Sequence, residues 1–115
     1  MSYEKRRHER MSCRIESSFR PLDSETPGPA ADTTVQDISE GGIRFRANRF
    51  VPVHERLFFR INIPQHKTLE VVAQPAWIRE IPSVSQYDIG AKFLSLSEED
   101  RRIIRQVAQG VPFEV

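Results

Sequence analysis

Apolar and polar residues alternate along most of this chain, and the alternating runs are divided by clusters of Pro, Gly, Asn, Asp and Ser. Cys13, Ile15, Ser17 and Phe19 fall on one face of an extended segment, with Arg14, Glu16, Ser18 and Arg20 on the other. A period of two is that of a half-buried strand. Pro21 to Asp32 carries Pro21, Pro27, Gly28 and Pro29 with no period and is expected to be a long exposed loop. Thr33, Thr34 and Val35 open a second strand that runs into Asp37. Ile43, Phe45 and Ala47, alternating with Arg44, Arg46 and Asn48, form a third. Leu57, Phe59, Ile61 and Ile63 alternate with Phe58, Arg60 and Asn62 up to a turn at Pro64 to Lys67. Thr68 to Glu80 is long enough for a fifth strand, in which Pro75 signals a bulge or an edge because it has no N–H for a ladder. After a turn at Pro82 to Gln86, Tyr87, Ile89, Ala91 and Phe93 give the sixth strand, with Gly90 at a bend or a close contact.

At Ser97-Glu98-Glu99-Asp100 the period becomes helical. Ser97 suits the N-cap, the three acids suit the positive end of the helix dipole, Ile103, Ile104, Val107 and Ala108 make one apolar stripe, and Gly110 is a natural stop. Six short strands would leave open edges unless the sheet closed on itself, so the expected fold is all-β with one C-terminal helix: a six-stranded antiparallel β-barrel with the helix packed on its side. Met1 to Arg10 has no apolar face and is expected to be a mobile arm. The chain then divides into a flexible arm (1–11), a barrel with its helix (12–110) and a tail (111–115). Trp77, on a central strand, is expected in the core, and Arg44 and Arg46 on a solvated face.

Antiparallel pairing of the strands around Ile15 and Val35 would set the start of the first beside the end of the second, next to Asp37 and Ser39. Arg6, Arg7 and Arg10 would thereby meet Asp37-Ile38-Ser39-Glu40-Gly41-Gly42. Guanidinium forks bind phosphates bidentately and stack on flat rings, while a carboxylate, a hydroxyl and a glycine pair offer hydrogen bonds and close backbone approach. A ligand both anionic and aromatic, a nucleotide, fits that combination. Arg10 and Asp37 are both expected on exposed segments.

Composition narrows the classes. The chain has 115 residues and 13.3 kDa, 38% hydrophobic and 29% charged residues, and a net charge of +1. That is one soluble domain without a protein-wide field for nucleic acid or membrane. No apolar run is long enough to cross a bilayer and the start lacks a secretory core, so the expectation is a cytoplasmic protein with no membrane insertion. Cys13 stands alone and reads as a buried structural thiol, and His8, His54 and His66 are scattered surface residues with no metal spacing. Neither a Walker loop nor a dinucleotide fingerprint is present, and nothing supports an enzyme. Aromatic interleaving around Arg44, Phe45, Arg46 and Phe50 is weak for a single-strand binder, so no nucleic-acid partner is expected.

Arg6 and Arg10 in Arg6-Arg7-His8-Glu9-Arg10, followed by Asp37, Ser39 and Gly42, resemble the two signatures of the PilZ domain family, RxxxR and DxSxxG. Leu57 to Pro64, Tyr87 to Phe93 and Ser97 to Gln109 are similar to that family's fourth strand, last strand and closing helix. The resemblance implies a six-stranded barrel that binds cyclic di-GMP, with no other cofactor. It implies that Arg6, Arg7 and Arg10 hold phosphates and guanine, that Asp37 accepts from guanine N1 and N2, that Ser39 adds a hydroxyl contact, and that Gly41 and Gly42 leave room. It further implies a stand-alone receptor that signals to a downstream protein partner. The alternative is a PilZ-like protein-interaction adaptor that binds no nucleotide.

Overall fold

In the computed structural model, residues 11–23 and 30–108 are described, with side chains from residue 14 onward. The expected arm, its arginines Arg6, Arg7 and Arg10, part of the first loop, the Gly110 stop and the tail lie outside the described residues, as does the Cys13 side chain. The strands are β1 (Met11–Pro21), β2 (Ala31–Ile38), β3 (Gly42–Ala47), β4 (Leu57–Asn62), β5 (Thr68–Ile81) and β6 (Gln86–Ser95), followed by helix α1 (Glu98–Ala108). β1 and β2 thus reach further toward each other than the exposed loop expected over Pro21 to Asp32. Pro21 still faces Leu57 of β4, at the end of β1.

The six strands form a closed antiparallel barrel in the order β1-β2-β3-β6-β5-β4, with β4 returning to β1 through Ser17↔Ile61 to Pro21↔Leu57. Closure suits the alternation: each strand has one apolar face, and a sheet curled on itself hides them together while leaving no open edge. Phe19, Phe45 and Phe59 meet at its centre, with ring centroids 5.2, 5.4 and 4.9 Å apart. Ile103, Ile104, Val107 and Ala108 are the buried side of α1, and the first three join the same core cluster. The Asp100 N–H donates to Ser97 Oγ at 3.0 Å, so Ser97 does cap the helix.

Two irregularities in the barrel decide where the polar chemistry goes. Along β2 the register runs Val35↔Phe45 and then Asp37↔Arg44, so Gln36 is an extra residue on one side of the ladder. Strict alternation would send both Val35 and Asp37 inward, whereas the bulge sends Ile38 into the core and turns Asp37 to the outer face. Along β5, Pro75↔Ala91 is followed by Trp77↔Gly90, so Ala76 is the extra residue and Trp77 also turns outward. The expectation of a core Trp77 is therefore corrected: it is 44% exposed. The bulge that Pro75 signals is the reason.

Candidate functional site

The two bulges place four strands' worth of polar side chains on one outer strip, crossing β2, β3, β6 and β5 in turn. Arg44 is its hinge. Its Nε donates to Asp37 Oδ2 at 2.9 Å, and its Nη1 donates to both oxygens of Asp88 at 3.1 and 3.2 Å. Arg79 Nη2 donates to Asp88 Oδ2 at 2.8 Å from the far side. The arrangement is a row of alternating charge, Asp37, Arg44, Asp88, Arg79, with no net charge of its own. Asp88 is wholly buried, which an ionised carboxylate tolerates only when it is paired and hydrogen-bonded as it is here. The hydrogen bond to Asp37 chiefly, and then the charge of Asp88, raise the Arg44 pKa against the opposing effect of burial, so Arg44 is a permanent cation.

This corrects the reading of Arg44 as a solvated side chain. It also corrects that of Asp37 as part of an exposed segment, since Asp37 is buried and ion-paired. Alternation alone gives Arg44 an outward direction, and it does point outward. What it cannot give is that the residues directly across the ladder on both sides, Asp37 on β2 and the neighbourhood of Gly90 on β6, supply carboxylates to hold it.

Beside Arg44 the indole of Trp77 packs over Gly90. A Cβ built on Gly90 would stand 2.2 Å from Trp77 Nε1 and 2.3 Å from Cε2, so only glycine lets the ring lie there. The close contact expected at Gly90 is this one. Trp77 thus presents an aromatic face next to the ion-paired row, and Arg79 borders it on the same strand.

At the top of the strip is the turn between β2 and β3. Ser39 N–H donates to Gly42 O at 2.9 Å, Gly42 N–H returns to Ser39 O at 3.3 Å, and Gly41 N–H donates to Ser39 Oγ at 3.2 Å. Ser39 is buried while Gly41 is exposed, and Phe93 N–H donates to Gly41 O at 3.0 Å, which ties the turn to β6. Gly42 has a structural reason of its own: a Cβ there would meet Ala91 O at 2.1 Å and Lys92 Cα at 3.0 Å, both backbone atoms of β6. Glu40, between Ser39 and Gly41, faces away from the strip toward α1, where Arg105 Nε donates to it at 2.8 Å.

Asp37, Ser39, Gly41 and Gly42 are therefore gathered in one turn, as the sequence pattern requires. The β1–β2 register sets Met11 opposite Ile38 and Ser12 opposite Asp37, so the described chain begins alongside that turn. Arg10 is the next residue in sequence before Met11. Arg44, Trp77, Arg79 and Asp88 were not among the expected site residues. The signals available for them were Pro75, whose bulge reverses the direction of Trp77, and Gly90, whose bare backbone accepts the ring.

No curated protein matches this chain in sequence. Among solved structures it is similar to the Bacillus subtilis inhibitor of motility, MotI/DgrA, with a TM-score of 0.78 and 17% identity over 94% of this chain and 51% of that one. It is also similar to the PilZ domain with c-di-GMP of YcgR from Escherichia coli, with a TM-score of 0.71 and 17% identity over 94% of this chain and 92% of that one. The MrkH–c-di-GMP complex of K. pneumonia gives a TM-score of 0.68 and 17% identity over 95% of this chain and 53% of that one. This chain spans about half the length of MotI/DgrA and of MrkH. At such identities the likeness is one of fold. Residues 4–110 match the PilZ domain, nearly the whole of the chain, and with the closed six-stranded barrel and single closing helix this means that the chain belongs to the PilZ domain family.

Proposed function

We propose that this domain is a receptor for cyclic di-GMP, holding the messenger between Arg6, Arg7 and Arg10 and the Asp37 to Gly42 turn, and passing its presence to a partner protein. The observation that carries the reading is the β1–β2 register, in which Met11 faces Ile38 and Ser12 faces Asp37. It brings the chain leaving RxxxR to the DxSxxG turn. Family membership and the two similar proteins solved with c-di-GMP, YcgR and MrkH, support it.

In this reading each group has a chemical task. Asp37, fixed from one side by Arg44, accepts from the guanine N1 and N2 donors, and Ser39 offers its hydroxyl at the base of the turn. Gly41 leaves the backbone open to the ligand, and Gly42 lets β6 close behind the turn. The three arginines meet the phosphates and the O6 and N7 edge of guanine, for which their planar forks are suited. Trp77 offers a ring face for a base, contributing on the order of 1 to 3 kcal/mol if stacked.

Calorimetry on the full chain with cyclic di-GMP, GTP and a short oligonucleotide tests this. Binding of cyclic di-GMP alone is expected, weakened about tenfold or more by Arg10→Ala or Asp37→Asn, because each removes a charge-assisted hydrogen bond worth about 1.5 to 3 kcal/mol. No heat with any of the three would favour a protein-only adaptor and refute the receptor. Unchanged affinity in the folded variants would remove these residues from the site.

A further inference from the structure

DxSxxG leaves three positions open, filled here by Ile38, Glu40 and Gly41, the last two lying within the turn between Ser39 and Gly42. Glu40 is nonetheless mostly covered, its side chain 19% exposed, because α1 grips it. Arg105 donates from Nε to Oε2 at 2.8 Å and from Nη2 to Oε1 at 3.3 Å, the two-pronged geometry of a strong guanidinium–carboxylate pair. Arg101, one helical turn earlier on the same face, brings Nη1 to 3.8 Å from Oε1. The helix that supplies both arginines is itself seated by Ile103, Ile104 and Val107 in the core. Its first turn is tied separately, through Lys67 to Glu99 and Asp100, each at 3.2 Å.

We infer that Glu40 is a positioning residue for the ligand turn, and that through it the occupancy of the turn and the docking of α1 form one coupled equilibrium. The inference rests on the receptor reading above. The turn is held by two backbone hydrogen bonds, one of them 3.3 Å long, by Gly41 N–H to Ser39 Oγ and by Phe93 N–H to Gly41 O, yet the exposed Gly41 in its middle keeps backbone freedom that these leave. Clamping Glu40 to a helix anchored in the core removes that freedom before any ligand arrives, and a site held beforehand in its binding geometry binds more tightly. Coupling of this kind is reciprocal: if a docked helix favours an occupied turn, an occupied turn favours a docked helix by the same factor. The exposed side of α1, with Glu98, Arg102, Arg105 and Gln106, is then a surface whose order depends on the ligand.

The test is a double-mutant cycle in ligand affinity, measured on the full chain by calorimetry with cyclic di-GMP and paired with amide exchange across Arg101 to Val107. Glu40→Gln and Arg105→Gln are each expected to weaken binding about fivefold at low salt, and the double variant no more than the weaker single. Ligand is expected to slow exchange in α1 of the parent protein and to lose that effect in Glu40→Gln. Asp23→Asn removes a comparable exposed pair with Arg56, at 2.9 and 2.6 Å, and is expected to leave affinity unchanged. Equal affinity of Glu40→Gln and the parent, additive losses in the double variant, an equal loss in Asp23→Asn, or α1 exchange indifferent to ligand in the parent would each overturn the inference while leaving the receptor reading intact. Absence of binding by the parent protein overturns the receptor reading, and the inference with it.

Discussion

Replacing Gly90 by alanine is expected to eject Trp77 from the outer strip while leaving the barrel folded. The new methyl would need space now held by Nε1, Cε2 and Cζ2 of the indole, at 2.2, 2.3 and 2.7 Å. Contacts that short cannot be absorbed by small adjustments, but the atoms belong to a side chain on the outer face, so the ring can swing away. Trp77 is 44% exposed, so roughly half of an aromatic surface of about 150 to 250 Å² is now covered, on the order of 100 Å². At about 25 cal/mol per Å², exposing all of it would cost about 2.5 kcal/mol. A displaced ring finds some cover elsewhere and alanine is better than glycine in a strand, so the expected loss is about 1 to 2 kcal/mol. In urea that shifts the midpoint by roughly 0.5 to 1 M. Trp77 is the only tryptophan of the chain, which makes its emission a direct reporter. Gly90→Ala should shift the emission to the red, increase quenching by acrylamide and, on the receptor reading, weaken cyclic di-GMP. A folded Gly90→Ala protein with the parent's emission and quenching would refute the packing argument.

The same substitution at Gly42 should be far more damaging, by about 3 kcal/mol or more, because the clash is with the Ala91 carbonyl and Lys92 Cα and relief requires opening the β3–β6 ladder; a urea midpoint no lower than that of Gly90→Ala would contradict this. Ile104→Asp buries a carboxylate at a wholly covered helix position and should cost several kcal/mol in thermal or urea unfolding, an unshifted transition being the contrary result. Lys67 is held above its ordinary pKa of 10.5, first by its hydrogen bond to Asp100 and then by that to Glu99. Since the folded value is the higher one, its contribution is complete below about 10.5 and lost as pH rises through the folded value, so Lys67→Met should flatten the alkaline limb of a stability–pH curve.

The barrel was legible because its signal is redundant. Burial alternates from Arg14 onward in β1, from Ile43 in β3 and throughout β4, while in β6 Asp88 and Gly90 are covered as well as Ile89 and Ala91, and the cap at Ser97 and the stripe at Ile103, Ile104 and Val107 mark the helix. The site was legible only as a set of residue types in one turn. The misplacing of Trp77 follows from one extra residue, Ala76, which reverses the parity of what lies beyond it, whereas Asp37, expected on an exposed segment, is covered because Arg44 pairs with it across the ladder. Pro75 gives notice of the second bulge in the sequence. Nothing comparable marks Gln36, and the pairing of Arg44 with carboxylates on two neighbouring strands depends on registers between segments far apart in the chain, which local patterns do not carry.

The internal charge balance of the strip implies a division of labour at the proposed site. Arg44 is bonded to both Asp37 and Asp88, so it cannot turn to a phosphate without leaving two buried carboxylates each short of a hydrogen bond, a cost on the order of several kcal/mol. Arg44 is thus committed to shaping Asp37. On the receptor reading, the two negative charges of a cyclic dinucleotide are met by the signature arginines Arg6, Arg7 and Arg10, with Arg79, 70% exposed, at the outer end of the strip. Recognition of the base and neutralisation of the phosphates then reside in different parts of the chain and respond differently to salt, since screening weakens exposed charge pairs far more than buried hydrogen-bonded ones. Arg6→Ala should lower the salt dependence of cyclic di-GMP binding while keeping the preference for guanine. Asp37→Asn should keep the salt dependence and lose discrimination against cyclic di-AMP. Equal salt slopes for the parent and Arg6→Ala, measured by calorimetry across a range of ionic strength, would place phosphate recognition on the strip itself and undo this assignment.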